Sequence, residues 1–568
     1  MTSNKTISIS PQKLQELLTR ARELKAAKEE AQKLNKTTIS ALISSAHNSP
    51  TGIATQGFGK HGEAITYNAE QQQFISLSTS LASCVLIGAA GTGKTTCVMG
   101  SINTLISSGA IPIMQDTAGH KHLAPNSPGI VAVSFTRRAV ANLRKAMPAG
   151  LEANCITIHK LLEYQPIWYE VDDPETGETK SVMRFEPSRN FLNPLPSSIK
   201  TIYIDEASMV STDLFKQLES ACPHGVQFVF IGDIQQLPPI FGPAILGFKM
   251  IELPTVELVQ VYRQALESPI ISLATNIKLG IQKPLTDKEV VETAKGKLIL
   301  HPWKKKISAD AATQTFVQFI IASLEAGAYN PDTDCILIPF NKSFGTIEVN
   351  KFIANKLAKK YSRKVFEIVA GFNKVYFSEG DKVLYDKEDA TIIKIERNSN
   401  YWGKRPHPAS VTLDYHGYDP VSQPQETESE EDIDAMLSHM AAYSSESEER
   451  VKAASHKITV RLDDSDEEIT IDTAGAINSL LLSYALTVHK AQGSEWDKVF
   501  LVLHQSHATM IQRELLYTAV TRAAKELYVI CEKESFVSGV KSQKIKGNTL
   551  AEKAEVFKGK LENNGGTY

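Results

Sequence analysis

The chain has 568 residues, 42% of them hydrophobic, with a formal charge of −3 and six scattered cysteines. That length exceeds one compact domain, and the apolar content is enough to build real cores. No apolar run reaches membrane-spanning length, the opening MTSNKTISIS has no secretory h-region, and no C-x-x-C pair occurs, so the reading is a cytoplasmic protein with reduced thiols and no membrane partner.

Residues 11–34 carry a helical stripe of Leu14, Leu17, Leu18, Ala21 and Leu24 beside charged residues. Such a helix either docks on the body or binds a partner. Turn formers at 48–62 read as a linker closing an N-terminal extension over 1–60. Strand-like runs at 83–88, 129–135, 201–206 and 227–233 then alternate with helical patterns, which predicts a parallel α/β sheet over 61–267 with ligands at the strands' C-terminal ends. Between them, residues 166–187 have β-rich arms around a DPETG turn and read as an inserted β-hairpin. A second α/β core begins near 268 with a strand at 334–340 and resumes over 479–535 with strands at 498–504 and 526–532. The interruption, 386–478, has strand-like runs at 410–415 and 456–462. Within it, residues 419–449 hold ten Asp or Glu and no Lys or Arg; without those ten charges the net −3 becomes +7 over the other 537 residues. The acidic stretch lacks a core-forming pattern and is expected to be a disordered loop over about 419–450. The mildly basic remainder suits a polyanionic partner. Residues 536–568 read as a basic, partly helical tail.

Chemistry starts at GAAGTGKT, Gly88 to Thr95, after a strand and before a helix. Backbone N–H groups of such a loop approach phosphates closely, so Gly88, Ala89, Ala90, Gly91, Thr92, Gly93 and Thr96 are candidate nucleotide contacts. Lys94 would neutralise β and γ oxygens, and Thr95 would help hold Mg²⁺. In YIDEAS, Asp205 ends an apolar strand where it would support the metal, and Glu206 can polarise an attacking water. FIGDIQQLPP offers Gln236 near the γ-phosphate, followed by a rigid Leu-Pro-Pro loop.

Together these motifs resemble a superfamily 1 helicase, in particular the 1B branch of RecD- and Dda-like proteins. YNAEQQQF resembles the Q motif and puts Gln71 at the adenine. SFTRRAVANL resembles motif Ia, and TIHKLL the stretch that follows it. LVQVYRQ resembles motif IV, with Tyr262 on the base and Arg263 at the γ-phosphate. TVHKAQGSE resembles motif V, adding Gln492, Gly493 and Glu495 to the nucleotide site. LYTAVTRAAKEL resembles motif VI, with Arg522 as a second arginine. The match runs from about 64 to 532.

The resemblance implies two tandem RecA-like α/β domains using ATP and Mg²⁺. The hairpin, about 164–200, would be a strand-separating pin in the first, and 386–478 an SH3-like β insertion in the second. It implies 5′-to-3′ movement on single-stranded and forked DNA, held by Phe135, Thr136, Thr157, His159, Pro238, Pro239, Thr487 and His489. In the pin, Pro166 and Phe185 would meet the bases; Trp168, Tyr169 and Phe185 could equally pack the hairpin onto the core. Replication, recombination or repair in a phage-infected or bacterial cytoplasm is the setting it suggests. A single-strand-binding or replication protein could dock through the N-terminal helix, the acidic loop or the tail. A RecD-like motor subunit, or a P-loop switch that does not unwind, are the alternatives.

Overall fold

In the computed structural model the described residues are 56–58, 64–172 and 179–563, less 146, 149, 241, 261–266, 282–287, 304–306, 343, 372, 386–387, 402–452 and 464–465. The helix expected at 11–34, the strand expected at 410–415 and the acidic stretch lie outside them. β1 (Gln56–Phe58) and β2 (Ala64–Thr66) pair antiparallel, so a strand occupies residues whose turn formers suggest only a linker. From Asn68 onward the described chain forms a second unit.

That unit begins with the helix Ala69–Thr79 and six strands: β3 (Cys84–Gly88), β4 (Ile130–Ser134), β5 (Cys155–Thr157), β8 (Thr201–Asp205), β9 (Gln227–Gly232) and β10 (Thr255–Leu258), with β6 (Tyr164–Asp172) and β7 (Thr179–Pro187) inserted after β5. The six form one sheet in the order β10-β3-β9-β8-β4-β5, all parallel. β3 and β4 are buried along their whole length, as their unbroken apolar runs require when helices cover both faces. Because β9 lies between β3 and β8, the ends of all three meet on one edge, bringing GAAGTGKT, GDIQQLPP and IDEAS together. β6 and β7 form a separate antiparallel hairpin, with Pro166 opposite Phe185.

A second sheet follows: β11 (Glu289–Thr293), β12 (Gly296–Pro302), β13 (Asp334–Ile338), β21 (Ala485–Thr487), β22 (Trp496–Leu503) and β23 (Ala523–Cys531), ordered β11-β12-β23-β22-β13-β21 and parallel except for β11. Between β13 and β21 the chain builds a hairpin, β14 (Val365–Ala370) with β15 (Asn373–Ser378), and an antiparallel sheet of β16 (Lys382–Tyr385), β17 (Glu388–Arg397), β18 (Ala453–Leu462), β19 (Glu468–Thr473) and β20 (Leu481–Leu482). These strands share a core of Ile368, Val383, Ile392, Ile458 and Val460. The antiparallel strands therefore begin at Val365, upstream of the 386 expected from sequence. The run VFEIVAGFNKVYF alternates like a hairpin but sits in a basic context that masks it.

The C-terminal segment departs furthest from expectation. Its composition suggests a basic, partly helical tail, yet the helix Leu550–Asn563 packs on the first sheet's helix Ile245–Glu252. Phe557 is 1% exposed, edge-on to Phe248 at 5.2 Å, and lies over Gly247. Leu550, Ala554, Phe557 and Leu561 recur at helical spacing and make the apolar stripe; interleaved lysines obscure it. All six cysteines are free thiols, and burial pushes Cys84, Cys97, Cys155 and Cys531 up to about 12, which leaves them inert. No described helix is long and apolar enough to cross a membrane.

Candidate nucleotide cleft and nucleic-acid interface

The phosphate loop turns out of β3 through Gly91 and Gly93, at φ 78° and 85°, and enters the helix Lys94–Ser107. Both φ values lie where a Cβ is disfavoured, and Gly93 caps a helix start whose N–H groups have no side-chain cap. The Lys94 ammonium donates to the carbonyls of Gly88, 2.8 Å, and Ala89, 3.2 Å. It is folded onto the loop it would leave when phosphate arrives.

Beside it, Asp205 ends β8, and Glu206 sits at φ 49°. A non-glycine residue there stores strain of order 1–3 kcal/mol, a cost seen mostly at functional sites. Burial and the Glu206 carboxylate together push Asp205 up to about 7. Glu206 Oε2, Gln236 Oε1, Ser208 Oγ and Ser134 Oγ are buried with no hydrogen-bond partner among the described residues. Ser134 is in register with Asp205 across β4 and β8. Orphaned polar atoms are rare in folded interiors and call for an absent partner. A phosphate-bound cation with its waters fits this edge. Thr95 and Asp205 are the residues that would hold it.

The second sheet reaches this edge through the helix Arg513–Val520. Its Tyr517 donates to Asp233 Oδ2 at 2.5 Å and accepts from the Ala90 N–H at 3.3 Å. Asp233 continues β9, so one phenol joins the phosphate loop, the strand that ends in Gly-Asp, and motif VI. Thr518 Oγ1 accepts from Leu237 N–H at 3.0 Å, and Gln492 Nε2 donates to the Leu237 carbonyl at 2.9 Å. A cavity of about 170 Å³ lies here, lined by Gly88, Ala89, Ala90, Asp233, Tyr517 and Leu550 among others. The sequence alone assigns Tyr517 no role within motif VI. Its one signal is a hydroxyl about a turn and a half of helix before Arg522.

Motif V packs against motif Ia. Gly493 has φ 75°, and a Cβ there would come within 2.8 Å of Ala139 Cβ and Thr136 Oγ1, so only glycine fits. Asn142 donates to the Gly493 carbonyl at 3.2 Å. Arg138, to which the sequence alone also assigns nothing, is buried against the Trp496 ring at 5.1 Å, donates to Ser494 Oγ at 3.3 Å and pairs with Asp389 of β17. Arg522 is buried and donates to the carbonyls of Ser494, 3.0 Å, and Thr518, 3.1 Å. Gln492 thus contacts the Leu-Pro-Pro loop and Gly493 contacts motif Ia, rather than lining the phosphate-loop cavity, and Glu495 is exposed. Gln71 is buried in a capping box with Asn68, and its helix meets the motif IV approach where Glu70 accepts from Val259 N–H at 2.9 Å. Thr92 is buried; Thr95 and Thr96 begin the loop's helix. Tyr262 and Arg263 lie outside the described residues.

The candidate DNA contacts cluster at the strand ends. Thr136 and Thr157 cap helices by accepting N–H groups from Ala139 and Lys160; each hydroxyl keeps its proton to donate to a phosphate. His159 stacks edge-on between Phe135, 5.6 Å, and Tyr164, 4.9 Å, at the root of the hairpin. Pro238 is buried and Pro239 half-buried. Thr487 is buried and accepts from Lys490 N–H, and burial lowers half-buried His489 to about 4, leaving it neutral. Phe185 is 54% exposed. The side chains of Pro166, Trp168 and Tyr169 lie outside the described set.

Family models for an AAA domain and a UvrD-like helicase C-terminal domain match residues 71–242 and 482–530. The chain is 26% identical over 434 residues to the ATP-dependent RecD2 DNA helicase of Deinococcus radiodurans, covering 73% of this chain and 48% of that protein. It therefore spans about half the length of that relative. It is 23% identical over 491 residues to the RecBCD enzyme subunit RecD of Buchnera aphidicola, 80% of this chain and 71% of that one. It is 30% identical over 198 residues to the ATP-dependent DNA helicase dda of Enterobacteria phage T4, 34% of this chain and 37% of that protein. A structure of Bacteroides Pif1 bound to single-stranded DNA aligns at TM-score 0.42 and 16% identity over 87% of this chain and 98% of that one. With the motifs in order along the chain and meeting at one cleft, the protein is similar to the superfamily 1B helicases of the RecD- and Dda-like branch.

Proposed function

We propose that the protein is an ATP-dependent DNA helicase that moves 5′ to 3′ on single-stranded DNA and separates the duplex ahead of it. The observation that carries this reading is the contact of Tyr517 with both Ala90 and Asp233. It ties the phosphate loop to the other sheet, so whatever occupies the loop is felt across the cleft. Lys94 and the loop N–H groups bind phosphates, and Glu206 orients and deprotonates the attacking water. Arg522, released from the Ser494 and Thr518 carbonyls, and Arg263 meet charge developing on the γ-phosphoryl oxygens. Such arginines are worth about 10³–10⁵ in rate elsewhere. Thr95 and Asp205 would hold Mg²⁺, which would supply charge neutralisation on the phosphates.

Closure would carry motif V past motif Ia. The hydroxyls of Thr136 and Thr157 and the neutral imidazole of His489 suit sugar and phosphate, while Phe135, Pro238 and Pro239 suit base faces. The β6–β7 hairpin serves as the pin, and the β16–β20 sheet as the SH3-like element. Protein partners through the N-terminal helix or acidic stretch belong to the same proposal. A second reading, a motor subunit of a recombination complex, is favoured by the long alignment with RecD.

The test is unwinding of two forked substrates, one with a 5′ tail and one with a 3′ tail, alongside ATPase with and without single-stranded DNA. Stimulated hydrolysis and 5′-tail preference are expected, with Glu206→Gln binding ATP but not turning it over. Stimulation without unwinding by the isolated chain points to the subunit reading. Turnover unaffected by DNA overturns both.

A further inference from the structure

Outside the cleft the molecule carries a strongly basic surface that the ATPase reading does not use. Residues 349–366 contain six cations, Lys351, Lys356, Lys359, Lys360, Arg363 and Lys364, and no acid, in a chain whose net charge is −3. They occupy the outer face and end of the helix Thr346–Lys360, whose inner face is Val349, Ile353 and Leu357, and the approach to β14. Two cations in a last helical turn complement the helix dipole. Six without an intervening carboxylate repel one another and exceed that need. Glu367, which pairs with Lys374 and accepts from Tyr376, marks the edge of the patch.

Aromatic rings interleave with the charges. Tyr361 is 53% exposed, with the Arg363 guanidinium 4.9 Å and the Lys360 ammonium 5.7 Å from its ring. Tyr376 is 45% exposed, and Lys364 lies 4.6 Å from the Phe366 ring. Positive potential reaches the neighbouring strands: burial lowers His456, and Arg397 and Lys364 add to it. Cations that track phosphates beside rings that accept base faces are the two components of a single-strand platform.

We propose that this patch on the helix Thr346–Lys360 and the β14–β15 hairpin binds the second tail of a DNA fork, the strand that the cleft does not hold. Lys356, Lys359 and Lys360 take phosphates, and Tyr361 offers a stacking face. The idea rests on the helicase reading for its substrate but not on ATP turnover.

The test is nucleotide-free binding of the full chain to a fork with both tails and to forks with either tail alone, over a salt series. Wild-type protein should bind the two-tailed fork more tightly than either single-tailed one. In Lys356→Gln/Lys359→Gln/Lys360→Gln that advantage should vanish, and the log–log salt slope should become shallower by about 0.7 for each single-strand phosphate left without its lysine. Single-tail affinity and ATPase stimulated by single-stranded DNA should persist, which also reports folding. Tyr361→Ala should weaken only the two-tailed fork. A wild-type protein indifferent to the second tail, or a triple variant that keeps the advantage, overturns the proposal. Because no nucleotide is present, a failed ATPase assay and a failed patch are separate results.

Discussion

The phenol oxygen of Tyr517 is the smallest object that joins the two parallel sheets at the phosphate loop. Tyr517→Phe keeps the ring and its packing but strips a donor from Asp233 and an acceptor from Ala90. Hydrogen bonds to charged groups are worth about 1.5–3 kcal/mol, which corresponds to roughly 10–150-fold in rate if the loss falls on the closed state. We expect kcat for DNA-stimulated ATP hydrolysis to drop by that order, with KM for ATP changing less; steady-state kinetics on the folded variant decide. An unchanged kcat would make the contact a packing feature of the empty cleft. Asp205 makes a second prediction. Its folded value, about 7, stands above its ordinary 3.8, so the folded protein holds that proton more tightly than the unfolded chain. The contribution is present at low pH and is lost as pH rises toward 7. Asp205→Asn should therefore melt higher than wild type without nucleotide, the gap opening between about pH 4 and pH 7, by ~2–4 °C for each kcal/mol recovered. The same variant should not hydrolyse ATP. Equal melting curves across that range would mean the carboxylate pair is relieved by some other group.

At the scale of elements, the hairpin and the last helix make the sharpest predictions. Phe185 lies on β7 opposite Pro166 and is exposed, and the proposed pin role makes it a base contact. Base–aromatic stacking is worth about 1–3 kcal/mol per base, comparable with a mean DNA stacking step of about 1.4 kcal/mol. Phe185→Ala should slow unwinding of forked duplex far more than DNA-stimulated hydrolysis; equal losses in both would assign the ring to packing. The helix Leu550–Asn563 leaves the second sheet and docks on the first. On the way, Glu514 accepts from the Lys544 and Ile545 N–H groups, and the Asn548 carbonyl receives Gln235 Nε2 at 3.5 Å. The chain thereby passes between the two sheets a second time. Phe557→Ala should cost about 3–5 kcal/mol locally. We expect the C-terminal segment to become protease-sensitive while the rest of the chain stays resistant, read by limited proteolysis with mass spectrometry. A cleavage pattern identical to wild type would show that the helix does not depend on that ring.

For the whole molecule the question is which parts the motor needs. The acidic stretch lies outside the described residues, between β17 and β18, which pair with each other whatever joins them. Closing a loop costs only about 0.6 kcal/mol more for each doubling of its length. Deleting residues 422–448 should leave ATPase and unwinding within a few-fold of wild type, measured side by side on the same fork. A folded deletion protein without unwinding would place the segment in the motor.

What is legible in the chain, and what is not, follows from the range of the interactions. GAAGTGKT, YIDEAS and the strands at 83–88, 201–206 and 334–340 can be read directly, because a phosphate loop and a buried strand are specified by neighbours a few residues apart. So can the hairpin, from its alternation and turn. Short or polar-flanked strands such as β5 and β12 escape, since their burial is decided by partners far along the chain. Lys553 shows the same limit: charged in sequence and 0% exposed in the fold, it donates to the Ile545 carbonyl at 3.2 Å. The roles of Tyr517, Arg138 and the last helix belong to the tertiary structure alone. Each depends on two surfaces separated by hundreds of residues meeting within hydrogen-bond or van der Waals distance, and no local pattern encodes that meeting.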